Sequence, residues 1–314
     1  MKKVLITGAT GFVGKHLMES LLLQPETEVV GTFRSEPGAI PAGAKLEKVD
    51  LLNQDAVDVL IETYKPDDVY HLAGLPSAAE SFKTPATSIT NNIIAELSVL
   101  EALRKHELIE TKVLVVSTAE VYGFITPDDL PIDESTDLRP VNPYAVSKIA
   151  QDYLGLQYRL SYRMNIVRVR PFNHIGPGQK ESFVLSSFAK QIAEIEKGKV
   201  EPIMYVGNLE AKRDFTDVRD MVKAYQLALE KGEKGDVYNI GSGVSRRIAD
   251  MLTTMLAFST YKVEIKPDPD RFRPIDVPEI VCNCKKFQAL TGWQPEIPFN
   301  QTLQDILDYW RKIV

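Results

Sequence analysis

The first residues of the chain constrain its fold more than any other segment. Residues 4–6 form a short apolar run that predicts a strand, and residues 7–14 follow as a turn with three evenly spaced glycines that opens an amphipathic helix. Gly8 suits a tight turn, Gly11 lets the backbone approach a pyrophosphate at the helix N-terminus, and Gly14 allows close packing of helix on strand. This segment therefore predicts a dinucleotide-binding loop. The residues predicted to contact the phosphates are Gly8, Gly11, Phe12, Val13 and Gly14.

Short apolar runs alternate with longer amphipathic stretches through the first half of the chain. The apolar runs lie at residues 4–6, 29–33, 68–72, 113–117 and 165–170. Strands that alternate with helices form βαβ units and a parallel sheet. We therefore predict an α/β protein with a Rossmann-type, doubly wound parallel sheet in residues 1–171. Residues 172–314, which are richer in proline towards their end, should form a smaller mixed α/β substrate domain, with some segments returning to the first domain.

Composition and charge exclude several classes of function. The 314 residues are 44% apolar and 25% charged, which is typical of a soluble globular protein, and the net charge of −6 leaves no bulk basic surface for nucleic acid or an anionic membrane. No apolar run is long enough to span a bilayer. Two cysteines and four scattered histidines do not have the spacing of a metal site, and reduced thiols fit the cytoplasm. We expect a cytoplasmic protein with no metal, no nucleic-acid partner and no membrane partner.

The residues after the second predicted strand indicate which dinucleotide binds. An acidic residue there would contact a ribose 2′-hydroxyl, but this strand ends in Arg34 and Ser35, which can pair with a 2′-phosphate. NADP(H) is therefore favoured, and the neighbouring Glu36 keeps NAD(H) open. Later strand ends supply the remaining predicted contacts to the adenine and the ribose. These residues are Asp50, Leu51, Leu72, Ala73 and Gly74.

A tyrosine and a lysine lie four residues apart in a predicted helix, at Tyr144 and Lys148. This spacing places them on one helix face, where the ammonium can lower the pKa of the tyrosine. The tyrosine can then exchange a proton with a substrate oxygen while a nicotinamide exchanges a hydride at the carbon. Thr118, at the end of the predicted strand at residues 113–117, is the candidate hydroxyl beside that oxygen. Glu120 either acts as a general acid or base or pairs with a neighbouring cation.

Together these motifs resemble the extended short-chain dehydrogenase/reductase family, in its sugar-nucleotide branch, over essentially the whole chain. The motifs are Thr7-Gly8-x-x-Gly11-x-x-Gly14, Asp50-Leu51, His71-Leu72-Ala73-Gly74, Ser117-Thr118-x-Glu120-Val121-Tyr122-Gly123 and Tyr144-x3-Lys148. The resemblance implies that Tyr144 is the acid/base, that Lys148 assists it and holds the nicotinamide ribose, and that Thr118 polarises the substrate oxygen.

The second half resembles the substrate-binding segments of GDP-mannose 4,6-dehydratases and their companion reductases, at residues 170–179, 206–215 and 273–277. The resemblance implies a GDP-sugar substrate, whose guanine rests on that resemblance alone. The alternative for the arginines in these segments is pairing with neighbouring aspartates at the surface. The residues implied in substrate binding are Asn173, Val184, Arg213, Arg273 and Asp276.

Two details favour a reductase over a dehydratase within this branch. Ala119-Glu120 follows the predicted catalytic threonine, and the stretch between Phe33 and Asp50 is short. The resemblance then implies NAD(P)H-dependent reduction of the C4 ketone of GDP-4-keto-6-deoxy-D-mannose to GDP-D-rhamnose. The alternatives are a GDP-mannose 4,6-dehydratase or a nucleotide-sugar 4-epimerase that recycles its cofactor, and a non-catalytic dinucleotide-binding protein.

The family resemblance also implies a homodimer with a four-helix interface, for which residues 85–106 and 143–164 are the candidates. The first of these stretches carries more apolar side chains than one core-facing stripe requires. The side chains in question are Ile93, Ile94, Leu97, Leu100 and Leu103.

Overall fold

The computed structural model describes residues 1–35, 40–272 and 277–314. Glu36, Arg273 and Asp276, which the sequence nominates for cofactor or substrate binding, lie outside these ranges. The strands are β1 (Lys2–Thr7), β2 (Thr27–Phe33), β3 (Lys45–Lys48), β4 (Asp68–His71), β5 (Lys112–Val116), β6 (Ile166–Pro171), β7 (Asn173–Ile175), β8 (Ile203–Val206), β9 (Lys212–Asp217), β10 (Val237–Ile240), β11 (Ser245–Arg247), β12 (Glu264–Pro267) and β13 (Glu279–Ile280). The helices are α1 (Phe12–Leu22), α2 (Gln54–Tyr64), α3 (Ala78–Lys83), α4 (Pro85–Lys105), α5 (Pro143–Tyr162), α6 (Val184–Glu196), α7 (Val218–Lys231), α8 (Ile248–Ala257), α9 (Lys285–Thr291) and α10 (Phe299–Ile313).

Seven parallel strands form the main sheet, in the order β10-β6-β5-β4-β1-β2-β3. The predicted doubly wound α/β sheet is therefore confirmed. The chain runs outward from β1 to β2 and β3, then returns to β4 on the other side of β1. This reversal opens a crevice beyond the carboxyl ends of β1 and β4, where ligands bind in sheets of this type.

Helices cover both faces of the main sheet. Helices α2, α4 and α5 lie on one face, and their apolar side chains form one core with β1, β4, β5 and β6. Helices α1, α7 and α9 lie on the other face, around Leu114, Val167 and Tyr225. The last strand of the sheet, β10, and two of these helices come from the second half of the chain, so that half contributes directly to the first core.

The remaining elements of the second half form a separate apolar core. Helices α6, α8 and α10 pack together beside β8 and β9. The side chains of α10 predicted on one helix face, from Leu303 to Trp310, are buried in this core. Strand β9 pairs with β7, β11 and β13 in a small second sheet. Among the described residues, none of the helices combines the length and the apolar character needed to cross a bilayer.

A buried ion cluster joins α5 to the edge of the main sheet. Asp152 of α5 is fully buried and binds two arginines of β6, Arg168 through Oδ1 and Arg170 through Oδ2 at 2.7 Å. Arg170 also donates to the Tyr122 hydroxyl at 3.1 Å, which in turn donates to Asn239 of β10 at 2.7 Å. The cluster thus ties a helix, two strands and one loop together by charge-assisted hydrogen bonds.

Candidate active site

The glycine loop lies at the crevice between β1 and β4. Gly8 has a φ of +67°, and a Cβ there would lie 2.9 Å from the backbone of Ala73. A Cβ on Gly14 would lie 2.5 Å from the Gly8 carbonyl oxygen. Both positions therefore require glycine. Gly11 is the N-cap of α1 and has no side chain to cap it, so the first-turn amides are left for an anion.

The loop after β4 is fixed against the end of β1. The hydroxyl of Thr7 accepts hydrogen bonds from the backbone N–H groups of Leu72 and Ala73, at 3.1 and 3.2 Å. On the opposite side of the glycine loop, the ring of Phe12 stacks on His174, with their planes 8° apart. Val13 is half-buried beside Phe12.

Two groups of predicted cofactor contacts lie at strand ends: Arg34 and Ser35, predicted to select the cofactor, follow β2, and Asp50 and Leu51, predicted to flank the adenine, follow β3. Arg34 and Ser35 are exposed just after β2, and Arg34 donates to the side chain of Asn91 on α4 at 3.1 Å. Asp50 is exposed after β3 and accepts from the Leu52 amide, whereas Leu51 is buried. The guanidinium of Arg34 is therefore held against α4 at the carboxyl edge of the sheet.

Four predicted catalytic residues converge where β5 meets α5. Asn142 caps α5 by accepting from the Ala145 amide at 2.7 Å, and it also donates to Glu120 at 3.1 Å. Tyr144 follows in the first turn of α5 and hydrogen-bonds Thr118, which opens the short 3₁₀ turn at Ala119–Val121. Because Asn142 both caps α5 and binds Glu120, it holds the Glu120 carboxylate next to the first turn of α5, which carries Tyr144.

The environment keeps Tyr144 protonated. Its side chain is 8% exposed, and burial raises the pKa of the phenol well above its usual value. The carboxylate of Glu120 raises this pKa further, while the hydrogen bond with Thr118 acts in the opposite direction. A phenol that holds its proton at neutral pH is suited to donate it to an oxygen that gains negative charge.

Lys148 lies one turn further along α5 and is equally buried. Its Nζ donates to the carbonyl of Val116 at the end of β5, at 2.8 Å, and a Cβ on Gly74 would lie 3.9 Å from the same nitrogen. Burial lowers the pKa of Lys148 to about 8, and the charge of Glu96 on α4 opposes this shift. The predicted lowering of the tyrosine pKa by Lys148 is not among the effects found at Tyr144, where burial, Glu120 and Thr118 act.

The residues predicted to bind substrate lie on elements of the second half. Asn173 begins β7, Val184 is the exposed first residue of α6, and Arg213 lies on β9. Asp214, the alternative partner of Arg213, is buried and accepts hydrogen bonds from the amides of Ser242, Gly243 and Cys282. Its carboxylate therefore fastens the loop after β10.

One further cation, Arg246, lies next to Arg213 and is absent from the sequence-based prediction. Arg246 of β11 pairs directly opposite Arg213 of β9, and its guanidinium lies 4.2 Å from the ring centre of Phe299. The Arg246-Arg247 dipeptide was the available signal in the sequence, but its pairing with β9 is a long-range property that no local pattern reveals.

Comparison with known proteins gives one consistent result. The family model of GDP-mannose 4,6 dehydratase matches residues 5–306. The chain is 36% identical to GDP-6-deoxy-D-mannose reductase of Pseudomonas aeruginosa, covering 100% of this chain and 98% of that protein. It is 28% identical to a GDP-mannose 4,6-dehydratase of Vibrio cholerae, over 98% of this chain and 93% of the relative.

Solved structures agree with these relatives. The structure of RMD from Pseudomonas aeruginosa complexed with NADPH superposes with a TM-score of 0.89 at 35% identity, and all of both chains is covered. The family model spans nearly the whole chain, and the relative at more than 30% identity covers all of it. The chain therefore belongs to the GDP-mannose 4,6 dehydratase family.

Proposed function

We propose that this protein is an NADPH-dependent reductase that converts the C4 ketone of GDP-4-keto-6-deoxy-D-mannose to the alcohol of GDP-D-rhamnose. The observation that carries the proposal is the cluster of half-buried Thr118 with buried Tyr144 and Lys148, together with a glycine loop whose helix N-terminus has no side-chain cap. The full-length similarity to GDP-6-deoxy-D-mannose reductase supports the choice of substrate.

The described residues fit a dinucleotide. Gly8, Gly11 and Gly14 form a cradle in which a Cβ at the first and last positions would collide with backbone. The first-turn amides of α1 can donate hydrogen bonds to a pyrophosphate there. Arg34 and Ser35 would hold a 2′-phosphate, Asp50 and Leu51 would flank the adenine, and Lys148 would bind the nicotinamide ribose. When bound, the reduced nicotinamide supplies the hydride that the sugar C4 receives.

The side chains of this protein would supply the proton that the sugar O4 gains during reduction. Tyr144 donates its phenolic hydrogen to the sugar O4 as negative charge develops there, and Thr118 hydrogen-bonds the same oxygen. Lys148 would hold the nicotinamide ribose beside Tyr144, and a solvent proton restores the phenol after each turnover. Glu120 remains bound to Asn142 and orients the start of α5. Each turnover thus consumes one reduced cofactor and one proton.

Stoichiometry tests the proposal against its alternative. Purified protein with GDP-4-keto-6-deoxy-D-mannose and NADPH should oxidise one NADPH for each sugar reduced, followed by absorbance and by chromatography of the product. A 4,6-dehydratase would instead convert GDP-mannose to the 4-keto sugar without net consumption of added cofactor, and a 4-epimerase would also consume none. If the protein converts GDP-mannose without oxidising NADPH, it is a dehydratase and the proposed reductase function is wrong.

Replacing Arg34 should weaken the binding of NADPH more than the binding of NADH. The Arg34→Ala variant loses the cation proposed to pair with the 2′-phosphate, a charge-assisted contact worth about 1.5–3 kcal/mol, or roughly 10- to 150-fold in the dissociation constant. Dissociation constants of both cofactors, measured by fluorescence titration, check this. Arg104→Ala, on the exposed end of α4, is the matched control. If the affinities for NADPH and NADH fall equally, Arg34 does not bind the 2′-phosphate.

Binding of the substrate should depend on its pyrophosphate group. A neutral keto sugar needs no cationic clamp, whereas a sugar nucleotide brings two negative charges to a protein with a net charge of −6. Arg213 and the residue opposite it, Arg246, are proposed to bind that pyrophosphate with Asn173, Val184, Arg273 and Asp276 at the same site. Arg213→Ala should raise KM for the GDP-sugar about 10-fold or more.

Two controls accompany this measurement. Arg247→Ala removes an arginine that pairs with Glu210 and Asp250 at the surface, so its KM should match that of the unaltered protein. GDP alone should inhibit competitively against the sugar nucleotide. Equal reduction of the free 4-keto sugar, or absence of competition by GDP, would remove the sugar-nucleotide assignment.

We also propose a homodimer through α4 and α5, although for reasons that differ from those given by the sequence. Leu100 and Leu103 are buried in the core of their own chain and cannot form an interface, and Ile93, Ile94 and Leu97 are only half-buried. The exposed apolar side chains lie instead on α5, where Val146, Tyr153 and Leu160 follow at seven-residue intervals along one face.

Light scattering at micromolar concentration should therefore give the mass of two chains. Leu160→Asp should give the mass of one, because a charge at a buried apolar contact costs more than the contact supplies. Val59→Asp places the same charge on an exposed valine of α2 and should leave the dimer intact. A monomer mass for the unaltered protein would contradict the proposed interface.

A further inference from the structure

The second turn of α1 contacts the segment 173–179, which begins with the proposed substrate residue Asn173. Nε2 of His16 lies 2.9 Å from the carbonyl oxygen of Pro177. Because a carbonyl oxygen can only accept a hydrogen bond, Nε2 carries the hydrogen and donates it. The His16 ring is half-buried, and its Nδ1 lies 3.7 Å from the exposed carboxylate of Glu19. The mechanism proposed above gives His16 no role.

The first turn of α1 contacts the same segment. The ring of Phe12 stacks on His174 with the ring centres 6.2 Å apart, and a Cβ built on Gly176 would lie 3.7 Å from Cζ of Phe12. Phe12 and His16 are four residues apart and share one face of the helix, where their rings meet edge to face at 5.6 Å. This face of α1 begins directly after the glycine loop and packs along the segment 173–179.

Both ends of the segment 173–179 are fixed to elements of the second half. At its start, β7 pairs with β9, so that Asn173 lies opposite Phe215. Strand β9 also carries the arginine proposed to bind the pyrophosphate. At its end, the carbonyl of Gln179 accepts from the Ser186 hydroxyl at 2.6 Å, and the Trp310 indole donates to the same hydroxyl at 2.9 Å. The segment therefore moves with the proposed substrate site.

The contact between α1 and this segment joins the proposed cofactor site to the proposed substrate site. Helix α1 begins at the glycine loop, and the segment begins at β7. Hydride transfer requires the reacting atoms to lie about 3–3.5 Å apart, and a displacement of about 1 Å can cost roughly 10²-fold in rate. A directional hydrogen bond from the cofactor-binding helix to the substrate-binding segment limits such a displacement.

We propose that His16 is a positioning residue whose hydrogen bond to the Pro177 carbonyl sets the position of the bound sugar nucleotide relative to the bound cofactor. The inference rests on the proposed function, because it requires the cofactor on the glycine loop and the substrate on β7 and β9. Without this bond the ring contacts of Phe12 remain, but apolar contacts are non-directional and allow the segment 173–179 to shift along α1.

Steady-state kinetics test the positioning role. His16→Leu removes the donor and should lower kcat/KM for the GDP-sugar by roughly 5- to 100-fold, between the loss of one hydrogen bond and a misplacement of the reacting atoms by about 1 Å. The dissociation constant of NADPH, measured by fluorescence titration, should change little. His16→Gln should recover most of the loss, because its amide nitrogen is as many bonds from Cα as Nε2 is. An unchanged kcat/KM in His16→Leu overturns the proposal.

Hydrogen exchange tests the contact without cofactor or substrate. In the full-length protein, followed by mass spectrometry, the amides of residues 174–179 should exchange about 2- to 10-fold faster in His16→Leu than in the unaltered protein or in His16→Gln. The amides of the central strand β5 should exchange equally in all three, which separates a local effect from a general loss of stability. Equal exchange of residues 174–179 in all three proteins would contradict the proposed role of His16.

Two further variants complete the test. Glu19→Gln is the matched control, because it removes the charge that Nδ1 of His16 faces and leaves the bond from Nε2 intact, so both measurements should match the unaltered protein. If His16→Leu does not fold, His16→Asn takes its place, since its amide is too short to reach the Pro177 carbonyl.

The two measurements also separate this inference from the proposed function. If the unaltered protein oxidises no NADPH with the GDP-sugar, the proposed function is wrong, and the exchange measurement still decides whether His16 fixes the segment 173–179. If the unaltered protein is an active reductase and His16→Leu matches it, the function stands and the positioning role is wrong.

Discussion

Replacing Tyr144 by phenylalanine should reduce kcat by about 10²- to 10⁴-fold, the range that general acid catalysis contributes. The change removes one oxygen atom from a side chain that is buried against β5 and bonded to Thr118, so the ring can remain in place. Binding of NADPH should change little, because the glycine loop and the proposed ribose contact of Lys148 are untouched. Steady-state rates of NADPH oxidation and fluorescence titration of the cofactor measure the two quantities separately.

Tyr162→Phe is the matched control for this variant. Tyr162 lies at the exposed end of the same helix, beside Arg104, and its ring is retained in the substitution. Near-normal turnover in Tyr144→Phe would rule out this residue as the proton donor. A loss of the folded state, seen by circular dichroism, would be at odds with the packing described for the ring.

Asp152→Asn should produce the largest loss of stability. The substitution preserves shape but leaves Arg168 and Arg170 buried with one negative charge fewer, and breaking a buried ion pair in this way typically costs about 3–5 kcal/mol. The free energy of unfolding, from urea titration of the full-length protein, should fall by about that amount. Burial of all three side chains keeps solvent from screening the charges that remain.

The control for Asp152→Asn is Asp250→Asn. Asp250 also pairs with an arginine, Arg247, but at the surface, where such pairs contribute about 0–1 kcal/mol. Equal effects of the two substitutions would mean that the hydrogen bonds of Arg168 to the Gly235 carbonyl and of Arg170 to Tyr122 already compensate both arginines.

The sequence predicted those features whose determinants are local. Strands β1, β2, β4, β5 and β6 of the main sheet each contain a short apolar run, whereas the edge strand β3 is polar and was not among the predicted runs. The glycine loop needs only Gly8, Gly11 and Gly14 in order. These features therefore follow from neighbouring residues. The four-residue spacing of Tyr144 and Lys148 fixes them on one helix face wherever the helix lies. The structure then brings Thr118 and Glu120 to that face, as the order of strands requires.

The features that the sequence did not predict depend on distant segments. In its first half, helix α4 buries Asn92 and Glu96 and leaves Ile93, Ile94 and Leu97 half-buried, whereas its second half buries apolar side chains as an ordinary amphipathic helix does. A hydrophobic pattern cannot show this, because the polar side of α4 is buried by the catalytic end of α5. Leu100 and Leu103 are buried in the core of their own chain, so the prediction that they lie at a dimer interface was wrong.

The position of β10 at the edge of the main sheet has a consequence for how the chain folds during synthesis. Strand β6 ends at Pro171, but its neighbour β10 and most of α7, which covers its apolar face, come only after residue 220. At roughly 5–20 residues per second, the ribosome takes about 3–13 s to make residues 172–236. Throughout that interval β6 presents an unpaired edge and an uncovered Val167 and Val169 to solvent. The nascent chain is therefore most exposed to aggregation after its first 171 residues have emerged, and a fragment that stops at residue 171 would retain that exposure permanently.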